Sequence, residues 1–262
     1  MNIKAMSQES APTPDVSVAV PAKDEAENLP KLLDEIAGAL SDRRFEVIVV
    51  DDGSQDGTVE TLRAYAAGHP WLRALRHAEA CGQSAAIHSA LHAARGRYVV
   101  TIDGDGQNDP AFIPALLEAL ESAGPKAGLA AGQRLGRKAS PLKRWSSRFA
   151  NGLRRSVLRD DTRDSGCGLK ALRREVFLRL PYFDSWHRFL PVLVLREGYQ
   201  VVHVDVVDRE RLHGKSKYGI VDRALVGALD LLGVWWLRRR RRSLPDIRPI
   251  ADPAANSMET GG

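Results

Sequence analysis

Three short apolar runs in the first half of this chain each end in carboxylates. "VSVAVP" (Val16 to Pro21) leads to Asp24 and Glu25, "FEVIVV" (Phe45 to Val50) to Asp51 and Asp52, and "RYVVTI" (Arg97 to Ile102) to Asp103 and Asp105. Runs so short and so continuously apolar are strands buried on both faces, as in a parallel sheet. Amphipathic stretches separate them, Leu29 to Leu40, Thr58 to Ala67 and Gln83 to Ala94, with a weaker strand "LRAL" (Leu72 to Leu75) before the last. This alternation specifies an α/β fold with a mostly parallel, Rossmann-like sheet flanked by helices. The loops that follow the strands then gather along the carboxyl edge, where open α/β folds bind ligands. Acids brought to one edge repel one another unless a cation sits among them, and a divalent metal is the first candidate.

The second half is built differently. Residues 1–130 carry 11 Lys and Arg against 19 Asp and Glu, whereas residues 131–262 carry 27 against 14. The basic half therefore calls for an anionic partner: nucleic acid, a membrane surface or a phosphorylated substrate. A basic amphipathic helix is expected at about 141–159, with Leu142, Trp145, Phe149, Leu153 and Val157 on one face beside Lys143, Arg144, Arg148, Arg154, Arg155 and Arg159. A short strand at Gly168 to Leu172, a helical region at Arg188 to Arg196 and a strand at Tyr199 to Val207 follow.

The apolar stretch Ala224 to Leu237 is interrupted by Asp230 and falls short of the roughly 20 residues that cross a bilayer. With Trp235 and Trp236 beside Arg238, Arg239, Arg240, Arg241 and Arg242, it reads as an interfacial anchor. Residues 1–15 read as a disordered leader without a secretion signal, and 243–262 as a disordered tail. Cys81 and Cys167 stand in no metal-ligand spacing and are expected to be small buried residues in a reducing compartment. The cytoplasm is the default location.

The loop motifs narrow the chemistry. "VDDGSQDGT" ends a strand with two acids, turns at Gly53 and offers Ser54 or Asp56 as a helix cap. No glycine follows the first strand as a dinucleotide fold would want, and no Walker A sequence is present.

Taken in order, "VPAKDEAENLP", "VIVVDDGSQDGT", "TIDGDGQNDP" and "RLHGKSK" resemble the motifs of glycosyltransferase family 2, specifically the polyprenyl-phosphate glycosyltransferases related to dolichyl-phosphate mannose synthase. The resemblance covers about Val16 to Trp236. It implies a GT-A fold with a catalytic domain at 16–217 and C-terminal amphipathic interface helices, the last at 218–242. Pro21, Ala22, Glu25, Asp52 and Asp103 would line the base and ribose pocket. Asp103, Asp105 and Gln107 would hold Mg²⁺ or Mn²⁺. Arg134, Arg148, Arg211, Ser216 and Lys217 would bind the donor diphosphate or the acceptor phosphate, with Asp105, Arg211 and Lys217 at the centre of catalysis. Two positions depart from the pattern, Asp24 for an asparagine and Ala80–Cys81 where an asparagine is usual.

The implied reaction is inverting transfer of a sugar from a nucleotide-sugar to a polyprenyl phosphate at the cytoplasmic face of the inner membrane, on an anionic membrane surface. The bacterial enzymes that load sugars for lipopolysaccharide modification look most similar, which would imply a UDP-sugar such as UDP-galacturonate. GDP-mannose as donor and a polysaccharide as acceptor stay open, as do self-association and the roles of Asp164, His187 and His213. Nucleic acid is not expected, because the acidic ligand-side loops would repel it.

Overall fold

The computed structural model describes residues 13–135, 158, 160–162, 164–209 and 220–240, with side chains from 227 onward in the last segment. Trp145, Arg148, Arg211, His213, Ser216, Lys217, Arg241 and Arg242, the expected basic helix apart from Leu158, and the tail lie outside the described residues. So do residues 1–12 of the expected leader. Asp15 closes that leader and is well held, its N–H donating to Arg44 O and its carbonyl accepting from Tyr98 N–H.

Seven strands form one sheet: β1 Val16–Ala22, β2 Phe45–Asp51, β3 Leu72–Arg76, β4 Tyr98–Thr101, β5 Ala127–Arg134, β6 Lys170–Arg173 and β7 Gln200–Val206. Their spatial order is β3-β2-β1-β4-β6-β5-β7. β1 runs parallel to β2 and β4, β2 to β3, and β5 to β7, while β6 lies antiparallel between β4 and β5. The helices are α1 Leu29–Ala39, α2 Thr58–Gly68, α3 Gln83–Ala93, α4 Ile113–Ser122, the single turn α5 Arg174–Phe177, α6 Leu190–Arg196 and α7 Ile220–Arg239.

Alternate strand residues divide the core in two. Val16, Val18 and Val20 of β1 face α1 and α4, where Leu29, Leu32, Leu33, Ile36, Ile113, Leu116, Leu117 and Leu120 are buried. Ala19 faces the other side, with Ala86, Ile87, Ala90 and Leu91 of α3, Leu190 to Val194 of α6, and Trp186. In α1 the buried residues recur at three- and four-residue spacing after Pro30 in the first turn, so the sequence pattern becomes the packed stripe. Each fully buried Leu or Ile contributes about 1.5–3 kcal/mol.

The strand "AGLAAGQR" of β5 is absent from the sequence expectation, because alanine and glycine carry little β signal. Its small residues answer to crowding: a Cβ at Gly128 would lie 2.8 Å from Tyr199 Cβ, and one at Gly132 would lie 2.8 Å from Leu169 O. The strand expected at Gly168 to Leu172 starts two residues later, at Lys170, because Gly168 belongs to the site described next.

Candidate active site

The acid-bearing loops meet at the carboxyl edge and fasten to one another. Asp24 sits at φ 57°, a left-handed conformation that Asn and Asp tolerate better than other side chains. Its N–H donates to Ser54 Oγ at 2.8 Å and its Oδ1 accepts from Gln55 N–H at 2.9 Å. Glu25 N–H donates to Thr58 Oγ1 at 2.9 Å, while Glu25 Oε2 accepts from Asn28 Nδ2 at 2.6 Å. The N-cap of α2 is Gly57, with no side-chain cap bond, so neither expected residue caps the helix: Asp56 Oδ1 takes Thr58 N–H at 2.9 Å from the position before the cap, and Ser54 bridges loops.

Asp52 is buried and engaged. Oδ1 accepts from His77 Nδ1 and from Cys81 N–H, each at 2.8 Å, and Oδ2 accepts from Gly82 N–H at 2.8 Å. Burial works to raise its pKa, yet the bonds from His77, Cys81 and Gly82 hold the carboxyl below the usual range. Ala22, expected on the pocket wall, has its side chain in the core and its carbonyl accepting Asp52 N–H, so only Pro21 of that pair is partly exposed. Cys81 is a correction to the sequence reading: it is exposed, whereas Cys167 is buried. The loop from Glu79 to Gly82 crosses the outside of Asp52, and that places its cysteine in solvent.

The loop after β4 holds the metal-type motif. Asp103 Oδ1 accepts from Gln83 Nε2 at 2.8 Å, and Asp105 Oδ1 accepts from Gln107 N–H at 3.1 Å. Gly104 lies against β1, where a Cβ would come 2.7 Å from Pro21 O, and Gly168 lies against Asp103, where a Cβ would come 2.4 Å from the carboxyl carbon. Burial, with the Asp105 charge beside it, pushes Asp103 up to about 6, even though Lys170 and Arg134 pull the other way. Among the described residues, Lys170 and Arg134 only partly offset the Asp103 and Asp105 charges. Asp103, Asp105 and Gln107 offer only oxygen donors, which suits Mg²⁺ or Mn²⁺.

Three residues that sequence reasoning missed hold this loop in place, and a fourth, Lys170, lies close enough for its charge to act on Asp103. Asn108 bridges backbone to backbone with Asp208, and its Nδ2 donates to Asp208 Oδ1 at 3.0 Å. Arg209 N–H donates to Gln107 O at 2.8 Å, and the Arg209 guanidinium reaches Asp109 Oδ1 and Glu35 Oε2, each at 2.6 Å. Lys170 is buried with Nζ donating to Cys167 O, and burial lowers its pKa. Only the "VDRE" run after a strand could have hinted at Asp208 and Arg209, and nothing in the sequence ties it to a loop 100 residues earlier.

Arg134, expected as a phosphate ligand, does reach this edge, but its guanidinium is held by carboxylates. Nε and Nη2 donate to Asp164 at 2.5 and 2.8 Å, and Nη1 donates to Asp208 Oδ2 at 3.1 Å. Burial opposes its charge, but the pairing with Asp164 keeps its pKa above the usual arginine value. Asp164 is thereby accounted for as the partner of Arg134. His187 Nδ1 lies 2.6 Å from Ser84 Oγ, and burial with Lys170 and Arg188 nearby pushes its pKa down to about 3, so the ring is neutral near pH 7.

Helix α7 divides the tryptophan pair. Trp235 packs on the core with Leu231 and Val234, and Arg239 stacks 4.3 Å from its ring centroid. Trp236, Leu229 and Leu232 are exposed on the other side, with Arg240 over Trp236. Among the described residues no helix is long and apolar enough to cross a membrane.

Comparison with known proteins bears on both fold and chemistry. The profile of Glycosyl transferase family 2 matches residues 17–180. Dodecaprenyl-phosphate galacturonate synthase of Rhizobium johnstonii is 34% identical over 231 residues, 86% of this chain and 68% of the relative. Undecaprenyl-phosphate 4-deoxy-4-formamido-L-arabinose transferase of Aeromonas hydrophila is 33% identical over 210 residues, 79% of this chain and 63% of the relative. The chain therefore spans about two thirds of the length of these relatives. A mannosyltransferase from Pyrobaculum calidifontis, solved with GDP-Man and Mn²⁺, superposes with a TM-score of 0.62 at 25% identity, over 89% of this chain and 66% of that one. Glucosyl-3-phosphoglycerate synthase from Mycobacterium tuberculosis, solved with Mn²⁺, UDP-glucose and glycerol 3-phosphate, superposes with a TM-score of 0.62 at 22% identity, over 88% of this chain and 82% of that one, and supports the GT-A fold.

Proposed function

This chain belongs to glycosyl transferase family 2, and from that premise we propose that it moves a sugar from a nucleoside diphosphate to a polyprenyl phosphate with inversion at the anomeric carbon. The observation that carries the reading is the carboxylate cluster at the carboxyl edge, where Asp103 accepts from Gln83 Nε2 with the Asp105 charge beside it and Asp105 accepts from Gln107 N–H. Both curated relatives carry names that specify a polyprenyl-phosphate product or substrate.

In this reading Pro21, Glu25, Asp52 and the wall around Asp103 receive the base and ribose. Asp103, Asp105 and Gln107 hold Mg²⁺ or Mn²⁺, which when bound offsets the charge of the departing diphosphate. The acceptor phosphate has a second pKa near 6 and is already anionic at neutral pH, so no strong base is required. His187, neutral and tied to Ser84, is consistent with that economy. Arg211, Ser216 and Lys217, with Arg148, supply the cradle that brings one phosphate to another despite their repulsion. Arg134 orders Asp164 and Asp208 beneath it. A single displacement inverts the anomeric configuration.

The outward row Leu229, Leu232 and Trp236, with Arg238 to Arg242, rests on the anionic cytoplasmic leaflet and delivers the enzyme to its lipid. The donor is a UDP-sugar, UDP-galacturonate by analogy with the Rhizobium relative. The test is a transfer assay with purified protein, Mg²⁺ or Mn²⁺, a polyprenyl phosphate and a panel of UDP- and GDP-sugars, scored by mass spectrometry of the organic phase. One new lipid-phosphate sugar is expected. Nucleotide binding without lipid product from any donor would move the acceptor to a polysaccharide.

A further inference from the structure

A second constellation of ligating atoms lies beside the metal-type loop and has different chemistry. Asp52 opens the loop after β2, His77 follows β3, and Cys81 leads into α3. A carboxylate oxygen, a ring nitrogen and the thiol sulfur of these three lie within 4.8 Å of one another. The segments are pressed together at Gly53, which takes φ 71° and where a Cβ would come 3.1 Å from Ala80 N. Asp52 is buried, His77 half-buried and Cys81 exposed, so the cluster opens to solvent through its sulfur.

His77 is oriented from behind. Its Nε2 lies 2.9 Å from Ser89 Oγ, and its Nδ1 lies 2.8 Å from Asp52 Oδ1. A serine hydroxyl can donate or accept, so the ring can carry its proton on either nitrogen. With Nδ1–H donating to Asp52, Ser89 donates to Nε2. With a cation on Nδ1, the proton sits on Nε2 and donates to Ser89, the arrangement in which metal-bound histidines are commonly held.

We propose that Asp52, His77 and Cys81 bind one Zn²⁺, and that this ion competes with the nucleotide. One oxygen, one nitrogen and one thiolate favour a borderline-soft ion over the hard Mg²⁺ or Mn²⁺ of the neighbouring loop. Three protein ligands leave a fourth position for water. On binding, the Cys81 thiol gives its proton to solvent, while His77 keeps its single proton and moves it to Nε2. Competition follows because the carboxylate is the one the donor's base would meet, a step that rests on the Proposed function.

Co²⁺ titration of metal-free protein tests the site by itself. A thiolate-to-cobalt charge-transfer band should grow to one equivalent, vanish on adding Zn²⁺, persist in Asp105→Asn, and be lost in Cys81→Ser and His77→Gln. Cys81→Ser changes an exposed side chain, so the fold should hold, and Zn²⁺ affinity should fall at least tenfold. A band that survives in Cys81→Ser, or none in the wild type, would overturn the site. UDP or GDP binding in excess Mg²⁺ should then weaken as Zn²⁺ is added to the wild type and not to Cys81→Ser. A cobalt band without that competition would leave the metal site standing and overturn the competition, together with the placement of the base at Asp52.

Discussion

Where the strands begin, Glu46 is buried and met on every side: Ser17 Oγ donates at 2.7 Å, Arg73 at 2.9 Å and Arg95 at 2.9 Å. Where the same strands end, Asp103 has Gln83 as its side-chain donor and Asp105 beside it, and its pKa is pushed up instead of down. The arginines of the amino edge are likewise spoken for. Arg173 donates to the carbonyl of Ala127 at the start of β5 and to those of Leu120 and Gly124 at the end of α4, and Arg174 to Ala94 O at the end of α3, where the helix dipoles are negative. A cavity of about 490 Å³ opens there between Arg44, Arg95, Arg97, Arg173 and Arg174. Its cations complete the fold, however, whereas Asp103 and Asp105 at the far edge are only partly offset by the described cations Lys170 and Arg134.

The largest effect should come from the carboxyl edge. Asp105→Asn is expected to lower transfer by about 10²–10³-fold with the melting temperature of the metal-free protein unchanged, read by mass spectrometry and by thermal unfolding. A variant that keeps most of its activity would erase the contrast between the edges. Glu46→Ala should do the converse, removing the acceptor of Ser17, Arg73 and Arg95 and costing about 1–3 kcal/mol in urea unfolding, since both arginines stay partly solvated, while the folded fraction still transfers. Burial opposes the Glu46 charge, but Arg95, Ser17 and Arg73 hold its pKa below the usual value. Its stabilisation is therefore present above the ordinary carboxylate range and is lost as pH falls through the lowered value.

Asp103→Asn should have the opposite sign. The folded pKa of about 6 lies above the unfolded one, so ionising Asp103 destabilises the metal-free protein as pH rises from about 4 through about 6. After allowing for solvent screening, the variant should gain on the order of 1–2 kcal/mol above pH 6 and nothing near pH 4. Mg²⁺ should stabilise the wild type and not the variant. Arg97→Gln, at the exposed rim of the amino-edge cavity, should change stability by less than about 0.5 kcal/mol and leave transfer alone. A large loss of transfer there would give that cavity a role the comparison denies it.

What the sequence made legible follows from how local each signal is. β1, β2 and β4 announce themselves because both faces are buried, and the acids after them because a strand must end in a loop. β5 is illegible because close neighbours require Gly128 and Gly132, and glycine weakens the very pattern that marks a strand. Trp235 and Trp236 look alike in sequence because α7 is apolar on two sides: Leu231, Val234 and Trp235 inward, Leu229, Leu232 and Trp236 outward. Lys170, Asp208 and Arg209 could not be found by spacing, since each acts on a loop distant in the chain. Asp52, His77 and Cys81 were hidden for the same reason, their ligand atoms converging only once β2 and β3 lie side by side.

The Arg209 strap also sets a timetable. It ties to Asp109 across 100 residues and to Glu35 across 174. At about 5–20 residues per second, the ribosome delivers Arg209 roughly 5–20 s after Asp109. During that interval the growing chain can close β1, β2 and β4 around their helices, while the acidic loop keeps local holds such as Gln83 on Asp103 and lacks the Arg209 strap. The half that carries the acid-bearing loops is therefore built as a scaffold well before the strap that fastens the last of those loops has been made.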